Sequence, residues 1–157
     1  SGAIALALAR ECPTVQITAT DVSLTALEVA CANAKAQGIL NVNFRSGHWL
    51  EAVPGQCYSL ITCNPPYVAC DDPHLETYHT KYEPELALIS GKHGMEALQQ
   101  IIPTAPRALA PGGWLVLEHG YQQAPSVRQA LKLAGYQSVE SVQDMGGHER
   151  VTLGHLE

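Results

Sequence analysis

The sequence predicts an α/β fold with a mostly parallel sheet that closes on an antiparallel hairpin at its C-terminal edge. Three observations predict it. Short β-branched or apolar runs alternate with longer Ala- and Leu-rich stretches of helical pattern. The connections between them are short. The last two strand patterns follow each other with no helix between them.

Residues 3–10 are rich in Ala and Leu and read as a helix. Residues 15–20 (VQITAT) are short and β-branched, a strand ending at Asp21. Ser23 is placed to cap a helix over 24–37, which Gly38 terminates. Residues 41–45 form a second short strand. The apolar run 58–63 (YSLITC), bounded by turns, predicts a buried strand. Asn64-Pro65-Pro66-Tyr67 follows, then an irregular stretch to about Lys92. Residues 94–109 read as a helix, Pro111-Gly112-Gly113 as a turn, and 114–118 as a strand. A helix over 124–134 and strands over 137–143 and 150–154 close the chain. Leu27, Val29 and Leu109 are assigned to the core. In such sheets ligands bind beyond the carboxyl ends of the strands. Asp21, the Asn64 tetrapeptide and Glu118-His119 all fall there.

A length of 157 residues fits one domain. Charged residues are only 15%, against a usual level of about 25%, so intrinsic disorder is excluded. The longest apolar run, Ala3–Ala9, is seven residues, far short of the roughly 20 a membrane span needs. No signal peptide can be drawn. The five cysteines (Cys12, Cys31, Cys57, Cys63, Cys70) are odd in number and lack C-x-x-C spacing. They read as free thiols of a reducing cytoplasm, with a catalytic thiol as the alternative for any one. The seven histidines (His48, His74, His79, His93, His119, His148, His155) show no ligand spacing, so no metal site is expected. Arg150 reads as an ion-pair partner. Net charge is −6, and residues 64–96 set six acids against Lys81 and Lys92. That segment would repel a phosphate backbone, so nucleic acid is not the expected partner.

Candidate site residues follow from position. Gly2 lies at the start of the first helix, where a missing side chain lets a ligand reach free N–H groups. Asp21, at a strand end about 20 residues on, suits ribose hydroxyls; capping the next helix is the alternative. Asn64-Pro65-Pro66-Tyr67 is the most specific signal. Its prolines fix the backbone and remove two N–H donors, and Asn64 is pushed toward an extended conformation. The turn then offers acceptors only: the Asn64 side-chain oxygen and the Pro65 carbonyl. Two acceptors suit a planar –NH₂ group, and Tyr67 adds a flat apolar wall.

These residues resemble motif IV of amino-group methyltransferases that use S-adenosylmethionine. The chain as a whole is similar to the HemK/PrmC family, the peptide chain release factor N5-glutamine methyltransferases. The matching pieces are Gly2-Ala3-Ile4-Ala5-Leu6, Asp21, Trp49, Asn64-Pro65-Pro66-Tyr67, Asp72-Pro73-His74-Leu75, Tyr82-Glu83-Pro84, Leu117-Glu118-His119-Gly120 and Glu149-Arg150-Val151-Thr152. The resemblance implies a class I, Rossmann-like methyltransferase sheet with S-adenosylmethionine as methyl donor and S-adenosylhomocysteine as product. It implies that Gly2, Asp21, Trp49 and Asn64 contact the cofactor. Asn64, Pro65, Pro66 and Tyr67 would form the glutamine pocket, with Asn64, Pro65 and Tyr67 acting on the reacting amide. The implied partner is a release factor in the cytoplasm, with neither DNA nor a membrane involved. Tyr82-Glu83-Pro84 would line the substrate channel or form a surface loop.

Two departures stand out. The family's first strand and most of its glycine loop do not precede Ser1, nor does its helical recognition domain, so 1–157 is expected to be an N-terminally incomplete catalytic domain. His48 precedes Trp49 where the family has Asp. Three rivals remain: a ribosomal-protein glutamine N5-methyltransferase, an adenine-N6 nucleic-acid methyltransferase, and a non-catalytic fragment.

Overall fold

The computed structural model describes residues 1–76 and 82–157, without the side chains of His74 and Glu76. His79 and Lys81, counted above, lie outside the described residues. The chain divides into two compact units, Ser1–Gly55 and Gln56–Glu157.

The first unit runs α1 (Ala3–Glu11), β1 (Ile17–Asp21), α2 (Leu24–Ala36) and β2 (Val42–Ser46), then a 3-10 turn at Trp49–Ala52. The strands pair in parallel, in register from Ile17 opposite Val42 to Asp21 opposite Ser46. Ser23 caps α2 as expected, its hydroxyl accepting from the Ala26 N–H at 3.2 Å. Asn41 ties the end of α1 to β2. Its carboxamide donates to the carbonyls of Ala9, Cys12 and Val15 at 3.3, 3.3 and 2.9 Å. The buried stripe of α2 is Ala30 and Ala34, one turn apart. Val29, assigned to the core, is instead 47% exposed, because it stands one residue off that stripe. Leu27 is half-buried.

The second unit holds β3 (Tyr58–Cys63), a short α3 (Glu85–Leu88), α4 (Glu96–Thr104), β4 (Leu109–Glu118), α5 (Ala124–Leu133), β5 (Gln137–Gln143) and β6 (Glu149–His155). Its strands lie in the order β3-β4-β6-β5. β3 and β4 are parallel; β6 runs antiparallel to both β4 and β5, giving the closing hairpin. Leu98, Ile101 and Ile102 of α4, Leu115 and Leu117 of β4, and Val127 and Leu131 of α5 form its core.

Two boundaries differ from the reading above. β4 begins at Leu109, and Pro111-Gly112-Gly113 is a bulge inside it rather than a turn before it. The register opposite β3 slips between Leu109 and Trp114 to absorb the extra residues. α4 stops at Thr104 instead of running to Leu109, and a 3-10 turn covers Ala105–Ala108. Pro103 and Pro106 remove two N–H donors there, so an α-helical ladder cannot continue.

The segment after the Asn64 tetrapeptide is irregular but anchored. Val68 donates to Leu88, Ser90 donates to Val68, and Cys70 donates to Gly91, at 2.9, 2.8 and 2.9 Å.

Candidate functional site

In the first unit, Gly2 precedes α1 with φ of +76°, in the left-handed region that favours glycine. A Cβ there would stand 2.9 Å from that of Ala30. Packing against α2 therefore requires this glycine before any ligand is considered. Asp21 ends β1, and its Oδ1 accepts from the Ser23 N–H at 2.9 Å. The helix cap is Ser23, so Asp21 supports the cap from outside the helix. Oδ2 takes no partner among the described residues.

The Gly47 N–H donates to the Asp21 carbonyl at 3.1 Å, which brings the 47–49 loop to the same strand end. Trp49 opens the 3-10 turn with φ of +48°, a conformation rare for a bulky residue. The His48 ring meets the indole edge-on, with centroids 5.1 Å apart. The Trp49 indole N–H is buried and unpartnered among the described residues. An orphan donor of this kind is costly unless something else satisfies it.

In the second unit, β3 delivers Asn64-Pro65-Pro66-Tyr67. Asn64 is exposed, and among the described residues its carboxamide has no partner. Pro65 is under 2% exposed, and no described N–H donates to its carbonyl. An exposed amide oxygen thus neighbours a buried, unsatisfied one. Tyr67 is held at both ends. Its hydroxyl donates to Glu118 Oε1 at 3.2 Å, and its carbonyl accepts from Gln123 Nε2 at 3.0 Å. Burial, then the adjacent Glu118 charge and hydrogen bond, push the Tyr67 phenol above its ordinary range, with Arg150 opposing. Tyr67 is therefore a neutral phenol and no base. Burial pushes the Cys63 thiol up to about 12, which removes this cysteine as a nucleophile. Tyr82 is 77% exposed.

After Glu118 comes a chain of polar groups that runs from the half-exposed Arg128 into the interior. His119 and Thr152 are 0% exposed. Arg128 Nη1 donates to Ser141 Oγ at 2.6 Å and to Glu149 Oε1 at 2.7 Å. Ser141 Oγ meets Thr152 Oγ1 at 2.8 Å, and Thr152 Oγ1 meets His119 Nε2 at 2.7 Å. His119 Nδ1 reaches the Gly120 carbonyl at 2.9 Å. A carbonyl only accepts, so Nδ1 carries the proton and Nε2 accepts from Thr152. Burial, more than any neighbouring charge, lowers the His119 pKa and keeps the ring neutral. Arg150 pairs with Asp144 at 3.2 Å, the ion pair its sequence context suggested.

The structure thus gathers Asp21 and Trp49 at one strand end of the first unit. It gathers Asn64, Pro65, Pro66 and Tyr67 in the second. Glu118 and Gln123 complete that second group. Glu118 stood at a strand end in the sequence, whereas Gln123 carried no signal. Among the described residues no three His, Cys, Asp or Glu side chains cluster, and no helix is long and apolar enough to cross a membrane.

The methyltransferase small domain family matches residues 1–80. The chain is 50% identical, over 98% of its length, to the release factor glutamine methyltransferase of Xylella fastidiosa strain Temecula1. It is 45% identical over 98% to the protein of the same name from Escherichia coli K12. The chain spans 56% of the length of each. A methyltransferase structure from Pyrococcus furiosus superposes with a TM-score of 0.70 at 21% identity, covering 98% of this chain and 68% of that one. The fold is that of class I methyltransferases, with parallel strands and an antiparallel edge.

Proposed function

The chain belongs to the methyltransferase small domain family, and from that premise we propose that residues 1–157 are the catalytic part of a protein-glutamine N5-methyltransferase acting on a peptide chain release factor. Both relatives described above carry that activity in their names and resemble the chain along almost all of its length. The observation that carries the reading is the pair of unsatisfied acceptors at Asn64 and Pro65. A primary amide has two N–H donors on one nitrogen, and two adjacent acceptors match it.

That nitrogen is a poor nucleophile because its lone pair is delocalised into the carbonyl. Hydrogen bonds accepted from both N–H groups raise its electron density. The exposed Asn64 carboxamide makes the first contact. The Pro65 carbonyl would accept the second N–H after a local shift that uncovers it, in a low dielectric where the bond is strong. The neutral Tyr67 ring aligns the amide plane, and the product sheds its extra proton to water.

S-adenosylmethionine supplies the methyl group as a sulfonium-bound electrophile. The residues of the first unit fit it. The free Oδ2 of Asp21 suits ribose hydroxyl donors, and the orphan indole N–H of Trp49 suits an acceptor on a heterocycle. Gly2 leaves the N-terminal amides of α1 bare. Five free thiols suit a reducing cytoplasm.

The test is mass spectrometry of a release factor incubated with the full protein and methyl-labelled S-adenosylmethionine. Label on one glutamine side chain is the expected result. Label on a ribosomal protein or on DNA adenine, with none on the release factor, would overturn it.

A further inference from the structure

Gln123 has no role in the reading above, yet its one carboxamide ties the Asn64–Tyr67 turn to the loops at Gly94 and Gly120. Its Nε2 donates to the Tyr67 carbonyl at 3.0 Å and to the Gly94 carbonyl at 3.2 Å. Its Oε1 accepts from the Gly120 N–H at 2.8 Å. The partners fix the orientation of the amide. Two carbonyls need the –NH₂ end and a backbone N–H needs the oxygen, so the reversed amide would break all three bonds.

The base of this clamp is itself braced. The Gln123 N–H donates back to the Gly120 carbonyl at 2.8 Å, closing a tight turn. The same carbonyl accepts from His119 Nδ1 at 2.9 Å, so the turn rests on the hydrogen-bonded chain that begins at Arg128. The far side of the clamp is a close approach of backbones. Gly94 has φ of +71°, and a Cβ there would collide with the Tyr67 carbonyl and stand 2.9 Å from Gln123 Nε2. Only glycine lets the two carbonyls come close enough to share one amide.

We infer that Gln123 is a positioning residue: it sets the placement of Tyr67, and through the rigid prolines that of Asn64 and Pro65, against the loop at Gly94. The inference rests on the reading of this turn as the amide-binding site. Gln123 touches no reacting atom. It supplies the geometric tolerance that an aligned transfer demands, where a displacement near 1 Å costs about 10²-fold in rate.

The experiment uses the full protein with Gln123→Met, which keeps bulk and removes all three bonds, and Gln123→Glu, which keeps the acceptor and removes both donors. Methyl transfer to a release factor, S-adenosylmethionine affinity by calorimetry, thermal melting and amide hydrogen exchange are measured together. Both variants are expected to lose about 10- to 100-fold in kcat, with KM changed less than threefold and cofactor affinity unchanged. Exchange should quicken in peptides covering 66–70 and 93–96 but not in the β5–β6 hairpin. A kcat within twofold of the parent would overturn the inference, as would exchange that quickens throughout the unit with a general loss of melting temperature. If the parent protein transfers no methyl group, the functional reading fails by itself. The exchange pattern then decides alone whether Gln123 positions the turn.

Discussion

Two strand ends in this chain present a polar residue toward a loop, Asp21 as the last residue of β1 and Asn64 just after β3, and they are secured in different ways. The Asp21 carboxylate is held by a near neighbour, the Ser23 N–H two residues on, while its backbone meets β2 and Gly47. The Asn64 turn is secured from afar. Glu118 holds the Tyr67 hydroxyl from 51 residues away, and Gln123 holds its carbonyl from 56. In neither place is the reactive group used up, since Asp21 Oδ2 and the Asn64 carboxamide take no partner among the described residues. On the proposed function, the difference separates two tasks, donor binding at Asp21 and action on the substrate amide at Asn64. A binding group with local support can adjust to its ligand at little cost. A group that must act on a reacting atom needs a placement the ligand cannot change, and only long-range contacts within a folded unit provide it.

Asn64→Ala tests the contrast most severely. Turnover should fall about 10²–10³-fold, judged by the loss of one oriented polar contact at a reacting centre, with melting unchanged. Transfer rates on a release factor measure it, and near-normal turnover would make the turn merely structural. Asp21→Ala should weaken S-adenosylmethionine binding by about 1.5–3 kcal/mol, roughly 10- to 150-fold by calorimetry, and leave kcat at saturating donor nearly intact. If instead kcat fell and affinity held, the division of tasks would be reversed.

Thr152→Val should act only on the long-range side. It strands His119 Nε2 in the interior, while Ser141 keeps its bond from Arg128, at about 1–3 kcal/mol, read as a melting shift of about 2–4 °C per kcal/mol. The same chain sets an acid limit. Burial holds the folded His119 neutral, with Glu149 favouring its proton and Arg128 and Arg150 opposing it. Below a pH of about 6.5 the unfolded histidine binds a proton that the folded one refuses, so stability falls as pH falls. Melting curves across that window should show the slope, and His119→Gln should flatten it. Tyr67→Phe should be the mildest change. The ring stays, the bond to Glu118 goes, and KM for the release factor should rise by no more than about tenfold, or 0.5–1.5 kcal/mol.

What could be read from the sequence tracks the same contrast. The strands at Tyr58–Cys63 and Gln137–Gln143 were legible to the residue, because an apolar or alternating run bounded by turn residues is a local signal. So were the Ser23 cap and the Asn64 tetrapeptide. β4 was truncated because Pro-Gly-Gly is a turn signal wherever it occurs, and only the pairing with β3 turns it into a bulge. Val29 was misplaced because a valine in a helix says nothing of which face meets the sheet. Gln123 was invisible, since its role arises from carbonyls 29 and 56 residues away.

The hydroxyl chain under the turn has one further property. Arg128 can only give hydrogen bonds and the Gly120 carbonyl can only take them, so every link between must point the same way. A row of hydroxyls open at either end has two proton arrangements of similar energy and can pass a proton along by switching between them. This row, stopped at both ends, has one. Along its own length it is an insulator for protons, a strut rather than a wire.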